Sequence, residues 1–388
     1  IEGSGGNWFW NPETGEVEET KDSYSHPQCS ACFIQSVEDD LMSIFELSKN
    51  EARIFKFGSG TGTNFSKLRG SMEKLSGGGT SSGLMSFLQV LDRGAGATKS
   101  GGITRRAAKM VCLDIDHPEI LDFIEWKSRE EKKAKALIEK GWPSDFNAEA
   151  YQTVSGQNSN NSVRVTDEFM KKMEEDGIWE TRLRTTGEVQ EKIPARVLMR
   201  KIAEAAWQCA DPGVHFDTTM NAWHTVPESG PIRATNPCSE FCFLDDTACN
   251  LASVNLLKFL KEDGIFDIEE YRHAIKLLFI AQEILVDFSS YPTKKIAQKS
   301  HDYRPLGLGY ANLGALLMAL GIPYDNEEGR GIAGALTAIL TGHAYLNSAL
   351  MAEIKGPFPG FSENRYPMLR VIVKHMEHVG RLSGNSPQ

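Results

Sequence analysis

Apolar residues recur at helical spacing between Asp39 and Phe57, where Leu41, Ile44, Phe45, Leu47, Ile54 and Phe57 form a stripe. The spacing predicts a helix, ended by the glycine-rich run Gly58-Ser-Gly-Thr-Gly62. The pattern changes at Met110-Val-Cys-Leu-Asp-Ile-Asp116, which reads as a strand, and His117-Pro118 then starts a helix through Trp126. Residues 127–140 carry so much charge that they read as a solvated helical insertion. Residues 161–165 alternate like a strand, with Thr166 placed to cap the next helix. Residues 195–208, 268–288 and 306–320 read as helices, while residues 1–28, gathered around Trp8-Phe9-Trp10, read as a surface arm or the remnant of a preceding domain. Strands alternating with helices predict an α/β architecture with a largely parallel sheet or barrel.

Composition narrows this picture. A chain of 388 residues, 40% hydrophobic and 24% charged, has the balance of a globular protein able to bury a sizeable core. The net charge of -10 disfavours non-specific binding to nucleic acid, so phosphate-bearing ligands need local, shaped sites. No apolar run reaches the roughly 18 residues of a membrane span; even residues 277–286 are broken by Gln282 and Glu283. Seven cysteines, at 29, 32, 112, 209, 238, 242 and 249, are an odd number spread over a long chain, which points to a reducing, cytoplasmic setting. The chain opens at Ile1 without a methionine or signal peptide and closes without a helix cap, so both ends read as cuts.

Candidate chemistry concentrates in Asn236-Pro-Cys-Ser-Glu240, followed by Cys249-Asn-Leu-Ala-Ser253. In an extended backbone Asn236, Cys238 and Glu240 share one face, and Pro237 biases Asn236 toward that geometry. An amide, a thiol and a carboxylate on one side of a loop can hold a diol, remove a hydrogen and accept a proton. The plainer alternative is a turn at Asn236-Pro237, with Cys238 a small buried hydrophobe and Glu240 a surface acid. Cys29-Ser-Ala-Cys32 opens a zinc or thioredoxin-like reading, weakened by the lack of a second pair at zinc-finger spacing. Cys112, Cys209 and Cys242 read as structural. The glycine-rich loops fail the nucleotide motifs, because Thr63 replaces the last glycine of G-x-G-x-x-G and Thr98 replaces the glycine before Lys99 of a P-loop. Ordinary tight turns are their alternative.

Several stretches together resemble the ribonucleotide reductases, and most of all their adenosylcobalamin-dependent class II. They are Ala31-Cys-Phe-Ile-Gln-Ser-Val-Glu-Asp39, Gly58-Ser-Gly-Thr-Gly-Thr-Asn64, Leu75-Ser-Gly-Gly-Gly-Thr-Ser-Ser-Gly83, Lys99-Ser-Gly-Gly-Ile-Thr-Arg-Arg106, Asp114-Ile-Asp-His-Pro118, residues 155–167 and 236–253, and Arg304-Pro-Leu-Gly-Leu-Gly-Tyr310. The resemblance implies a ten-stranded α/β barrel of two five-stranded parallel halves. Residues 29–235 would form the first half with its effector loops, 236–250 a central finger loop, and 251–388 the start of a second half whose C-terminal part is missing.

It further implies that Cys238 is the thiyl radical, Glu240 the base on the ribose 3′-hydroxyl, Asn236 the holder of the sugar hydroxyls, and Cys32 with Cys249 the reducing pair. Ser30, Ala31, Asn236 and Gly60 become substrate-binding positions. Residues 68–79 and 100–109 become loops that read a deoxynucleoside triphosphate or ATP at a homodimer interface, with Asp39 on the effector ribose and Lys74 on phosphate. Arg105 or Arg106 would touch effector or substrate base, a solvated arginine pair being the alternative. The implied cofactor is adenosylcobalamin, for which no ligand residue is named, and the implied reductant is a thioredoxin-type or dithiol donor. The family's substrate-diphosphate loop and C-terminal cysteine pair find no match in this sequence, so the chain is not expected to turn over by itself. The remaining alternatives are a diiron-dependent large subunit and a non-catalytic nucleotide-binding chain that docks on a complementary one.

Overall fold

A computed structural model describes residues 7–22, 24–98, 107–145 and 147–382. Its strands are β1 (Trp8–Asn11), β2 (Glu16–Glu19), β3 (Cys32–Gln35), β4 (Gly60–Asn64), β5 (Ala108–Asp114), β6 (Asn160–Val165), β7 (Ile178–Arg182), β8 (Val189–Pro194), β9 (Gly213–Phe216), β10 (Ala234–Thr235), β11 (Cys242–Phe243), β12 (Thr247–Asn255) and β13 (Leu306–Ala311). Of the described residues, those within 32–223 and 231–247 form one compact unit, and those within 1–31, 224–230 and 248–388 form another.

In the first unit β3, β4, β5, β6 and β9 lie side by side in that order, all parallel. Val111, Leu113, Val163 and Val165 face Ile44, Leu47, Leu88, Phe123, Phe169 and Leu198 in one buried cluster. A parallel strand covered by helices reads as an unbroken apolar run, which is why β5 was legible. The helix Leu41–Lys56 forms as predicted, with the Asp40 carboxylate accepting the Ser43 N–H at 3.0 Å, and Gly58 (φ +82°) turns the chain out of it. The predicted helix-ending run is shorter than expected, since Gly60 already opens β4. Thr166 caps helix Asp167–Glu174 as expected.

Two expectations change here. Residues 127–140 are no separate insertion: helix Ile120–Glu139 runs straight through, and Ser128, Glu130 and Ala134 on its inner side are buried. Pairs such as Arg129–Asp122 and Lys135–Glu131 dress its outer side, so the charge marks a half-solvated face. The helix starts at Ile120 instead of His117, because the fully buried His117 is held by the Leu68 carbonyl at 2.8 Å and accepts the Glu119 N–H at 3.0 Å.

In the second unit residues 306–320 are not one helix. Leu306–Ala311 is a strand paired in parallel with residues 250–255, and helix Leu313–Ala319 follows. A Cβ on Gly307 would stand 2.3 Å from Leu251 Cδ2, so that glycine serves the close approach of two strands. Within the stretch read as a surface arm or domain remnant, residues 8–19 form the hairpin β1/β2, whose Trp10 stacks on His301 at 3.6 Å. Helix Ile268–Phe288 matches its expected bounds and, with Glu327–Lys355, packs around Tyr271, Ile275, Leu316 and Leu336. Among the described residues, no helix is long and apolar enough to cross a membrane.

Candidate active site

The parallel register brings Cys32, Gly60 and Ala108, the openings of β3, β4 and β5, into one row. Strands β10 and β11 pair antiparallel as a short hairpin, with Thr235 opposite Cys242, and β10 lies against β3, β4 and β5. This placement needs bare backbone below it. A Cβ on Gly62 would sit 1.7 Å from the Thr235 carbonyl oxygen, and one on Gly60 would sit 2.8 Å from Pro237 Cγ. Glycines at alternate positions of β4 therefore let a second chain segment cross the sheet at contact distance.

The tip of that hairpin corrects the extended geometry expected for residues 236–240. It is a tight turn: Ser239 N–H donates to the Asn236 carbonyl at 3.1 Å, and Ser239 takes φ +67°. Proline suits the second position of such a turn, which is the physical reason the turn alternative prevails over a strand. Cys238 is exposed at its tip, not a buried hydrophobe. Asn236 is buried, while Glu240 is exposed.

Asn236 and Glu240 still converge, and the atom on which they meet is the thiol of Cys32. Asn236 Nδ2 donates to Cys32 Sγ at 3.1 Å, and Cys32 Sγ donates to Glu240 Oε1 at 3.4 Å. Asn236 is itself oriented by the Phe241 N–H, which donates to its Oδ1 at 2.9 Å. Beside Cys238 and Pro237 opens a cavity of about 360 Å³, walled by Ala108, Lys109, Lys127, Asn158 and Asn160 among others. Lys109 is no free cation, being paired with Glu51 at 2.6 Å in full burial, and Lys127 is paired with Asp211 at 2.5 Å.

Cys249 lies in the other unit, buried on β12, where its carbonyl accepts the Ala31 N–H at 3.1 Å. In the same unit Ser30 is buried and bonds to Tyr291. Cys29 Sγ donates to the Pro27 carbonyl at 3.6 Å. Cys242 Sγ donates to the Ser239 carbonyl at 3.4 Å, and burial raises its pKa, in keeping with a structural thiol. Burial pushes Cys112 up to about 12.

Asp39 is half-buried and already engaged: Arg69 Nε donates to its Oδ2 at 2.6 Å, and the Arg69 N–H to its Oδ1 at 3.2 Å. Arg69 also donates to the Lys74 carbonyl at 2.9 Å, while the Lys74 side chain is exposed. Arg105 and Arg106 lie outside the described residues. Residue-by-residue reading missed Arg69, the buried Lys109–Glu51 pair, and Asn160, whose Nδ2 donates to the Pro237 carbonyl at 2.8 Å. It also missed His215, 3.2 Å from Ser239 Oγ. Only Gly62 carried a readable signal, as a glycine inside an alternating run.

Comparison with known proteins gives this geometry a family. The barrel domain of ribonucleotide reductase matches residues 30–379. The chain is 52% identical over 389 aligned positions to a vitamin B12-dependent ribonucleotide reductase of Rhodopirellula baltica, covering 100% of this chain and 37% of that protein. It is 51% identical over 354 positions to the protein of the same name from Streptomyces coelicolor, covering 90% of this chain and 37% of the relative. A vitamin B12-dependent ribonucleoside-diphosphate reductase of Mycobacterium tuberculosis is 36% identical over 338 positions, covering 87% and 45%. The chain thus spans well under half the length of these relatives. Since the barrel-domain match takes in every strand from β3 onward, together with the Cys238 turn laid across them, the chain belongs to the ribonucleotide reductase family.

Proposed function

We propose that this chain supplies the central chemistry of ribonucleotide reduction within a longer protein, replacing the ribose 2′-hydroxyl by hydrogen through a thiyl radical on Cys238. The observation that carries the reading is the meeting of the Asn236 amide and the Glu240 carboxylate on the Cys32 thiol, at the foot of the turn that presents Cys238. An amide and a carboxylate that meet on one thiol are what a diol needs if one hydroxyl is to lose a proton and its neighbour to leave as water.

The relatives' names point to adenosylcobalamin as cofactor. The residues present fit it in one respect, because Cys238 is exposed on the wall of a cavity of about 360 Å³, enough for a nucleoside-sized group beside its sulfur. When bound, this cofactor supplies the one-electron bond homolysis that takes the hydrogen from a thiol. The Cys238 sulfur then removes the C3′ hydrogen, forming S–H as the C–H bond breaks. Glu240 accepts the 3′-hydroxyl proton, and Asn236 holds the hydroxyls in reacting geometry. Cys32 gives a proton to the departing 2′-hydroxyl, which leaves as water. Cys249 gives its hydrogen to C2′ as Cys32 and Cys249 close a disulfide and so supply two electrons. Glu240 returns its proton to the 3′-oxygen, Cys238 returns its hydrogen to C3′, and a thioredoxin-type or dithiol donor reopens the disulfide.

The same reading makes Ser30, Ala31 and Gly60 substrate contacts, the substrate being a ribonucleoside di- or triphosphate. It makes residues 68–79 and 100–109 the effector loops of a homodimer, with Asp39, Lys74 and Arg105 or Arg106 as contacts. The five-stranded parallel sheet and the Cys238 hairpin support a first barrel half over residues 29–235 with a finger loop over 236–250. Residues 251–388 would then begin the second half of a ten-stranded barrel.

The test is deoxynucleotide formation with adenosylcobalamin, dithiothreitol and a deoxynucleoside triphosphate, using the chain alone, its full-length protein, and Cys238→Ala in the latter. Product from the full-length protein, abolished by Cys238→Ala, is the expected result. Product that requires a diiron partner subunit would overturn the cofactor assignment, and product from Cys238→Ala would overturn the radical one.

A further inference from the structure

We propose that His215 is a positioning residue for the Cys238 turn: its hydrogen bond to Ser239 holds the turn's left-handed residue and so sets the direction of the neighbouring Cys238 sulfur. The inference rests on the reading of Cys238 as the radical cysteine and deepens it.

Ser239 takes φ +67°, a conformation disfavoured for a residue with a Cβ and maintained only where the surroundings impose it. Two groups reach its hydroxyl, His215 Nε2 at 3.2 Å and Thr235 Oγ1 at 3.4 Å. Thr235 Oγ1 also bonds the Asn236 carbonyl at the shorter distance of 2.9 Å, which leaves His215 as the principal anchor. His215 is buried on β9 inside the first unit, and its other ring nitrogen, Nδ1, lies 3.8 Å from the buried thiol of Cys112 on β5.

The chain of contacts has a direction. Burial pushes the Cys112 thiol up to about 12, so the sulfur keeps its proton and offers it to Nδ1. Burial, with the Arg164 guanidinium nearby, lowers His215 to about 4, so the ring stays neutral. A neutral ring that accepts at Nδ1 carries its hydrogen on Nε2 and donates it to Ser239 Oγ. Strand β5 and the edge strand β9 thereby fix the ring, and the ring fixes the residue next to Cys238. The backbone holds from Asn160 to the Pro237 carbonyl and from Cys242 to the Ser239 carbonyl secure the turn's position. The His215 contact is made to the side chain of the left-handed residue itself.

The experiment uses the full-length protein and the variants His215→Leu, His215→Gln, Ser239→Ala and the double variant His215→Leu/Ser239→Ala. Turnover with adenosylcobalamin is measured in parallel with the rate of Cys238 alkylation by iodoacetamide in cofactor-free protein, read from the Cys238 peptide by mass spectrometry. His215→Leu and Ser239→Ala should each lower kcat by about tenfold or more with KM little changed, as expected when a reacting atom is misplaced. Each should shift the alkylation rate in the same direction. The double variant should be no worse than the worse single, since both break one contact, and His215→Gln, which keeps an N–H donor, should recover most of the loss.

Unchanged kcat and alkylation in folded His215→Leu, or losses that add in the double variant, would overturn the proposal. Should His215→Leu not fold, Ser239→Ala decides alone by the same two readouts. Activity retained by Cys238→Ala would sink the radical reading, while the coupling of residues 215 and 239 in the alkylation rates would still decide whether His215 positions the turn.

Discussion

Around Cys238 the holds come from residues set on the sheet strands themselves, two of them buried, whereas around Asp39 they come from a partly exposed loop residue. The Cys238 turn is tied to β6 by Asn160, to β9 by His215 and to β3 by Cys32, and it lies on glycines of β4. Asp39 is held by the partly exposed Arg69, which in turn leans on the Lys74 carbonyl. The first arrangement follows the order and register of the strands that carry it. The second is an ionic contact in partial solvent that an incoming ligand can replace at little cost. Chemistry that needs atoms placed to a fraction of an ångström gains from the first, and a response to a ligand gains from the second.

Substitutions that act through the core test this contrast most severely. Gly62→Ala would force a Cβ to within 1.7 Å of the Thr235 carbonyl, against backbone that cannot swing away. The expected loss is on the order of 5 kcal/mol or an unfolded protein, read by urea denaturation, and an unchanged midpoint would break the comparison. Glu51→Gln strands the Lys109 ammonium beside the opening of β5, where the two side chains are 1% and 3% exposed. Its expected cost is about 3–5 kcal/mol in the same assay, with much of it recovered when Lys109 is also made apolar.

Acid should act next. His117 and His215 are both held near pKa 4, chiefly by burial, whereas the unfolded chain titrates at the ordinary value of 6.5. Between those values the unfolded state binds more protons, so the stability from each buried neutral ring is complete above pH 6.5 and drains as the pH falls toward 4. Each ring contributes up to roughly 3 kcal/mol, and a denaturation midpoint flat from pH 7 to pH 4 would contradict the assignment. The smallest effect on stability is expected around Asp39. Asp39→Asn should cost no more than about 1 kcal/mol, yet weaken deoxynucleoside triphosphate binding by about tenfold in calorimetry, as loss of a charged hydrogen-bond acceptor does. A large stability loss with intact binding would reverse the roles given to the two regions.

Elements whose pattern follows from their own surroundings were legible. The helices over residues 41–56 and 268–288 present one apolar stripe each, and β5 is an unbroken buried run, so local periodicity is enough. Residues 306–311 read as helix because Leu306, Leu308 and Tyr310 alternate with Gly307, Gly309 and Ala311 in a stretch that continues as helix, and no helix breaker other than glycine separates the two. The charge of residues 127–140 hid a buried inner side, since the charged residues of a half-solvated helix outnumber the small ones that face inward. Residue types and close spacing single out Asn236, Cys238 and Glu240 in the sequence, whereas the extended backbone which that reading expects for them is a turn. Pro237 is compatible with both a strand edge and a turn, and a left-handed Ser239 leaves no mark in sequence.

The sequence by itself therefore determined the α/β class, the parallel strand β5, the cysteines and the Asn236-to-Glu240 cluster, because each is written in residue type and short-range period. Only the tertiary structure decided that Asn236 and Glu240 meet on Cys32, that Gly60 and Gly62 are the floor of the Cys238 hairpin, and that His215 reaches Ser239. Those contacts join residues 24 to more than 200 positions apart. Separations of that size are closed by strand order and register, and no local preference along the chain encodes either.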